Sequence, residues 1–225
     1  MDVQSFWREL GSIRDEIGYH RSPIVELVQN GSATHAQLER IAICNYHMTV
    51  RDADVYTASG FINLAALNPQ ASTRLAHAFA EEALGIHSHT AGHAELLFEF
   101  WERGLGRQRP ELESSIAPAA VRAFNAEYWT VMTRKIRYCG IPGYLGEGIF
   151  SNVCQRLYDG LIRHYHMEPE ALRFFSVHVE EDREHSEEGH DLLSELAATD
   201  RDREDFVLEA RCWAQLQRGA WDAML

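Results

Sequence analysis

The sequence predicts an all-α fold, one compact bundle of seven to eight helices, on three observations. No strand-like alternation bounded by hairpin turns stands out, while proline, glycine and asparagine mark off helix-length segments. At 225 residues and 45% hydrophobic, the chain is long enough for one sizeable core. Internal repeats and low-complexity tails are absent, so residues 1–225 are expected to form a single domain.

The elements follow in order. The start, "MDVQSFWREL", is acidic and amphipathic and lacks the basic and apolar regions of a secretory signal. Ser22-Pro23 opens a short helix ending near "QNGS", because proline suits a first helical turn and glycine an exit. Thr34 with Gln37 reads as a capping box, and the helix behind it is expected to run to Asn68-Pro69 as a long central element. A third helix is expected over Ser72 to Arg103, followed by a loop, "GLGRQRPELESS", and a fourth from about Pro118 to Tyr138. "CGIPGYLGEG" must kink or interrupt the chain before another helix, "IFSNVCQRLYDGLIRHY". Pro169 opens the next helix, and the last begins near Asp202.

Composition excludes several classes. No apolar run approaches the length of a membrane span, and a net charge of −13 repels phosphate backbones and anionic lipid. The only basic cluster is "TRKIR", so neither nucleic acid nor membrane is an expected partner, and the cytoplasm is the simplest location. Cys44, Cys139, Cys154 and Cys212 lie far apart without a C-x-x-C pair, which fits buried thiols and no thiolate metal centre.

"SVHVEEDREHSEEGHDLL" concentrates histidine and acid. On a helix, steps of four and three put His178, Asp182 and His185 on one face. Glu82 and His89, seven apart, share a face of the third helix. Imidazole and carboxylate together suit iron, manganese or zinc. Paired ions need a further carboxylate for near-neutrality, for which Glu147 is the best placed. His20, His35, His77, His164 and His166 read as ordinary capping or core histidines, and Glu180, Glu181, Glu187 and Glu188 as a solvated face.

This set resembles the haem-oxygenase-like diiron oxidases and oxygenases, metal-binding relatives of the TenA and PqqC proteins that include the chlamydial death-domain-associated protein. The resemblance covers nearly the whole chain in helix order and motif spacing. It implies that Glu82, His89, Glu147, His178, Asp182 and His185 bind two iron ions, with manganese admissible in one position. It further implies O2 as cosubstrate, a peroxo-diferric intermediate and oxidation of a small amine, amino acid or carboxylic acid in specialised metabolism. An external electron donor is compatible with that chemistry, and a homodimer is expected.

His93, one turn beyond His89, is expected beside the metals or as an extra ligand. Tyr46 and His47 are expected to face the substrate, and Arg51, Arg134 and Arg137 are candidates for pairing with a substrate carboxylate. Gly146 stands where the self-sacrificing p-aminobenzoate-forming relative has a tyrosine, so no such chemistry is expected. Three alternatives remain: a metal-free TenA-like or PqqC-like enzyme using Cys139 or a tyrosine, a ferritin-like iron-storage protein using Glu187 and His190, and a non-catalytic interaction module.

Overall fold

Local capping chemistry starts several of the helices. The computed structural model describes residues 1–225, the side chain of Glu184 excepted. Asp2 accepts from the Ser5 amide at 2.8 Å and opens α1 (Val3–Ile17), whose Phe6, Leu10 and Ile13 are buried on one face. Pro23 opens α2 (Pro23–Gln29), and Gly31, at φ 76°, turns the chain out of it. Thr34 and Gln37 cap each other reciprocally at the head of α3 (His35–Asn45), as the motif predicts.

Two expected long helices are each split. A π-helical turn over Tyr46–Val50, followed by Asp52 at φ −127° and ψ −3°, separates α3 from α4 (Ala53–Leu67). Next, α5 (Pro69–Leu84) stops at Gly85, which adopts φ 61°, and an irregular turn runs to Gly92 before α6 (His93–Glu99). A β-carbon at Gly85 would lie 2.5 Å from the Thr90 carbonyl oxygen, and one at Gly92 would lie 2.3 Å from that of Ala83. Only glycine fits either end of this turn.

Then come α7 (Arg109–Glu113) and α8 (Ala119–Thr133). "CGIPGYLGEG" winds a π-helical turn over Pro142–Glu147 that runs directly into α9 (Gly148–Tyr165), so the chain is deformed there without a loop. A 3₁₀ turn at Pro169–Leu172 leads into α10 (Arg173–Leu196), and Thr199 with Asp202 caps α11 (Asp200–Asp222). Among the described residues there is no strand, so the fold is all-α as predicted. None of the helices is long and apolar enough to cross a membrane.

Packing sets the site between two apolar bodies. The main core runs from Phe6 and Leu10 of α1 through Leu157 of α9 and Phe174 of α10 to Trp221 of α11. A smaller cluster, Leu64, Ala71, Leu75, Met132, Cys139 and Leu192, holds α4 and α5 against α8 and α10. A cavity lined from both clusters lies between them. On its floor the backbones of α10 and the Pro142–Glu147 turn touch, because a β-carbon at Gly189 would sit 2.5 Å from the Tyr144 amide nitrogen. Gly189→Ala is therefore expected to push that turn off α10 and cost about 2 kcal/mol of unfolding free energy. Gly11→Ala, mid-helix with nothing within 4 Å of the new carbon, should instead stabilise by up to about 1 kcal/mol. Urea midpoints of the two variants check the pair.

Candidate metal centre

One turn after another, α10 delivers three ligand-type side chains inward. His178 is 3% exposed, Asp182 0% and His185 5%, so the expected common face is real and turned into the interior. The His178 ring is held from behind: its Nδ1 lies 2.6 Å from the Phe174 carbonyl, one turn earlier. That bond puts the proton on Nδ1 and leaves the Nε2 lone pair free.

Glu82, near the end of α5, joins this face from the opposite side. Ligand atoms of Glu82, His93 and His178 lie within 4.8 Å of one another, and so do those of Glu82, Asp182 and His185. Glu82 thus belongs to two adjacent triads. Glu147, at the end of the glycine-rich turn, places its Oε2 3.1 Å from His185 Nδ1. The Tyr19 hydroxyl donates to the Gly146 carbonyl at 2.7 Å and ties that turn down.

The sequence expectation needs two corrections. His89 does not reach the cluster: it sits exposed on the 85–92 turn at φ 52°, because Gly85 and Gly92 break the helix that would have carried it round to the Glu82 face. His93, the first residue of α6, takes the place beside Glu82, with Nδ1 2.7 Å from Glu82 Oε2 and Nε2 3.2 Å from Glu81 Oε1. The missed residue is Glu81. Fully buried, it also accepts from the His87 and Ser88 amides at 2.7 and 3.2 Å and so fastens the turn.

Tyr46 and His47 likewise do not line the cavity. The π-helical turn rotates them away, leaving Tyr46 5.9 Å from the Phe98 ring and His47 Nε2 3.0 Å from Ser115 Oγ. Asn45, Met48 and Thr49 face the cavity in their stead. Arg51, Arg134 and Arg137 are not among its lining residues, and Arg137 bonds Asp202 at 2.6 Å. Arg74 does line it, but its guanidinium is engaged with Glu195 at 3.1 Å and Asp191 at 3.7 Å.

Electrostatics show what the cluster lacks. Burial opposes charge on His93, yet Glu82 and Glu81 outweigh it and lift the imidazole to about 10; Glu147 does the same for His185, also to about 10. Burial and the charge on His93 drive His178 down to about 3, so it stays neutral. Burial, reinforced by Glu147, pushes the Asp182 carboxyl well above its usual range, and neither of its buried oxygens has a hydrogen-bond partner. His185 Nδ1 has no aligned hydrogen-bond partner either. Unbonded buried carboxylate oxygens, a free imidazole lone pair and two imidazolium cations among carboxylates fit a donor set built for metal cations. The O and N donors suit iron or manganese. Cys139, by contrast, is a buried thiol pushed up to about 12 by desolvation, which disfavours it as the nucleophile of a metal-free enzyme. His190 stacks on Trp7 at 4.1 Å and is not one of the clustered residues, which removes the ferritin-like pairing.

A helical fold around a buried cluster of histidines and carboxylates defines a class, all-α proteins with a candidate metal centre. Residues 39–218 match the family described as iron-containing redox enzymes, and the chain belongs to it. The fold is haem-oxygenase-like. A Shewanella denitrificans OS217 domain of unknown function with a haem-oxygenase-like fold superimposes with a TM-score of 0.80 at 20% identity, over 100% of this chain and 92% of that one. A CADD-like protein of unknown function from Nostoc punctiforme PCC 73102 gives 0.73 at 18% identity, over 98% and 97%. No curated protein matches the chain.

Because His93 and His185 carry protons in the metal-free protein, cations must displace them. Metal affinity is expected to rise with pH, with about three protons released on full loading, from His93, His185 and the neutral Asp182; calorimetry in buffers of different ionisation enthalpy counts them. Both imidazoles are raised above their unfolded value, so the stability they give the metal-free chain is complete below about pH 6.5 and is lost as pH climbs through about 10. Metal-free urea midpoints should fall over that window, and metal-loaded ones should fall less.

Proposed function

We propose that this chain is an O2-activating non-haem diiron oxidase or oxygenase acting on a small substrate, an amine, amino acid or carboxylic acid with a largely apolar body. The observation that carries the reading is the position of Glu82, common to two ligand triads. A carboxylate within reach of both triads could serve two cations at once, as carboxylates do in helical di-metal proteins. Glu82, His93 and His178 would hold one iron; Glu82, Asp182, His185 and Glu147 the other. Two irons so held would supply O2 activation and the electrons for its reduction.

The chain's own residues do the rest. The Phe174 carbonyl fixes the tautomer of His178, and Glu81 orients His93 through its second nitrogen. The Tyr19 bond to Gly146 and the contact at Gly189 keep Glu147 within reach of His185. Met48, Met132, Phe124, Phe150, Trp213 and Trp221 give the cavity apolar walls that exclude water from the reacting atoms. With Arg74 committed to surface acids, a substrate carboxylate would find its positive partner at the metals themselves.

Anaerobic ferrous titration tests the assignment. The parent chain should take up about two irons, Asp182→Asn about one, and Glu82→Ala almost none, since it serves both positions. O2 uptake should vanish in both variants. If Glu82→Ala binds iron like the parent, the shared carboxylate is not the hinge of the centre and the reading falls.

A further inference from the structure

Aromatic rings form an unbroken line from the cavity to the surface. Tyr128, on α8, lines the cavity together with Glu82 and Glu147. Its ring lies 5.4 Å from that of Tyr56 on α4, and Tyr56 lies 5.6 Å from Trp129. Trp129 is 41% exposed; Trp101, Trp213 and Trp221 are buried, and Trp7 is half-buried. On the inner side Tyr128 stands 5.2 Å from Trp213, also in the cavity wall. Packing accounts for rings at such distances, but phenylalanine or leucine would pack equally well. Tyrosine and tryptophan are the side chains that most readily give up and regain a single electron. Electron tunnelling decays exponentially with distance, so several short steps outrun one long one.

We propose that Tyr128, Tyr56 and Trp129 form a one-electron relay between the iron site and a one-electron reductant at the surface around Trp129. The inference rests on the chain being an iron redox enzyme and does not depend on how many irons it holds. In each transfer Tyr128 would give one electron to an iron site oxidised beyond the ferric level by O2, and its phenolic proton would pass to the carboxylates of the cavity lining, which include Glu82 and Glu147. Tyr56 re-reduces Tyr128, its proton following, and Trp129 does the same for Tyr56. The external reductant returns an electron to Trp129, and solvent returns the proton. The sum is one electron from reductant to iron and one proton from solvent to cavity. The same line carries oxidising equivalents outward if the iron is oxidised with no substrate bound, sparing the ligands.

Pulse radiolysis of the full-length, metal-free chain tests the relay without iron. In a Trp7→Phe background, azide radical oxidises the accessible indole of Trp129, giving azide, an indolyl radical and a proton. The indolyl absorbance should then decay as tyrosyl absorbance rises, at a rate independent of protein concentration. Tyr56→Phe keeps the packing ring and should slow this transfer by about tenfold, whereas Tyr56→Trp, which is again oxidisable, should restore it. A second arm loads ferrous iron, admits O2 with no substrate bound and follows protein radicals by electron paramagnetic resonance, where Tyr56→Phe should cut the indolyl signal of Trp129 by a similar factor. Transfer at the parent rate in metal-free Tyr56→Phe overturns the relay, whatever the iron does. Transfer that depends on Tyr56 in a chain that takes up no iron upholds the wire and refutes the centre.

Discussion

The demand on which this structure turns is the neutralisation of Asp182. A carboxyl group with no solvent exposure and no hydrogen bond to either oxygen is among the costliest things a helix can bury. In the metal-free chain it is kept uncharged by burial and by the Glu147 charge, while His93 and His185 hold protons against Glu82, Glu81 and Glu147. Every element around the centre answers to that balance. Without a positive charge from protons or from cations, the carboxylates of α5, α10 and the Pro142–Glu147 turn could not share one dry space.

Bringing those carboxylates together is backbone work. Side chains as short as Glu and Asp meet only if the main chains carrying them come close, and the glycines at 143 and 189 let α10 and the π-helical turn approach to contact. Tyr19, from the segment after α1, then fastens the Gly146 carbonyl. The other side of the site is held more lightly, since α4 and α5 rest on a cluster of six buried residues apart from the main core. The cavity lies where these two unequal bodies face each other, so the open space and the histidine and carboxylate cluster share the same seam.

What the sequence revealed divides along the range of the forces involved. H-x3-D-x2-H was legible because α10 is one uninterrupted helix, and helical periodicity needs nothing from outside it. The Thr34/Gln37 cap was legible for the same reason. The Glu82 and His89 pairing was not, because it assumed a helix through Gly85 and Gly92; those glycines were visible, but the carbonyls that crowd them come from the folded turn. Tyr46 and His47 were misplaced by a π-helical turn, whose one extra residue per turn leaves no mark on apolar spacing. Glu81 escaped notice because two of its partners are backbone amides six and seven residues on, and the third, His93, reaches it only once the 85–92 turn has folded back.

Two neighbouring glutamates on α5 carry unlike duties. Residues adjacent on a helix point about 100° apart, so Glu81 holds the His87 and Ser88 amides and the far nitrogen of His93, while Glu82 turns to His93 Nδ1 and the histidine face of α10. Sliding α5 by a single residue would set one glutamate in the other's place and an alanine, Ala80 or Ala83, in the place left, so one of the two duties would go unfilled. Descendants of this sequence can vary α5 in composition, but not in phase: an insertion or deletion between positions 82 and 93 breaks the turn and the centre in one stroke.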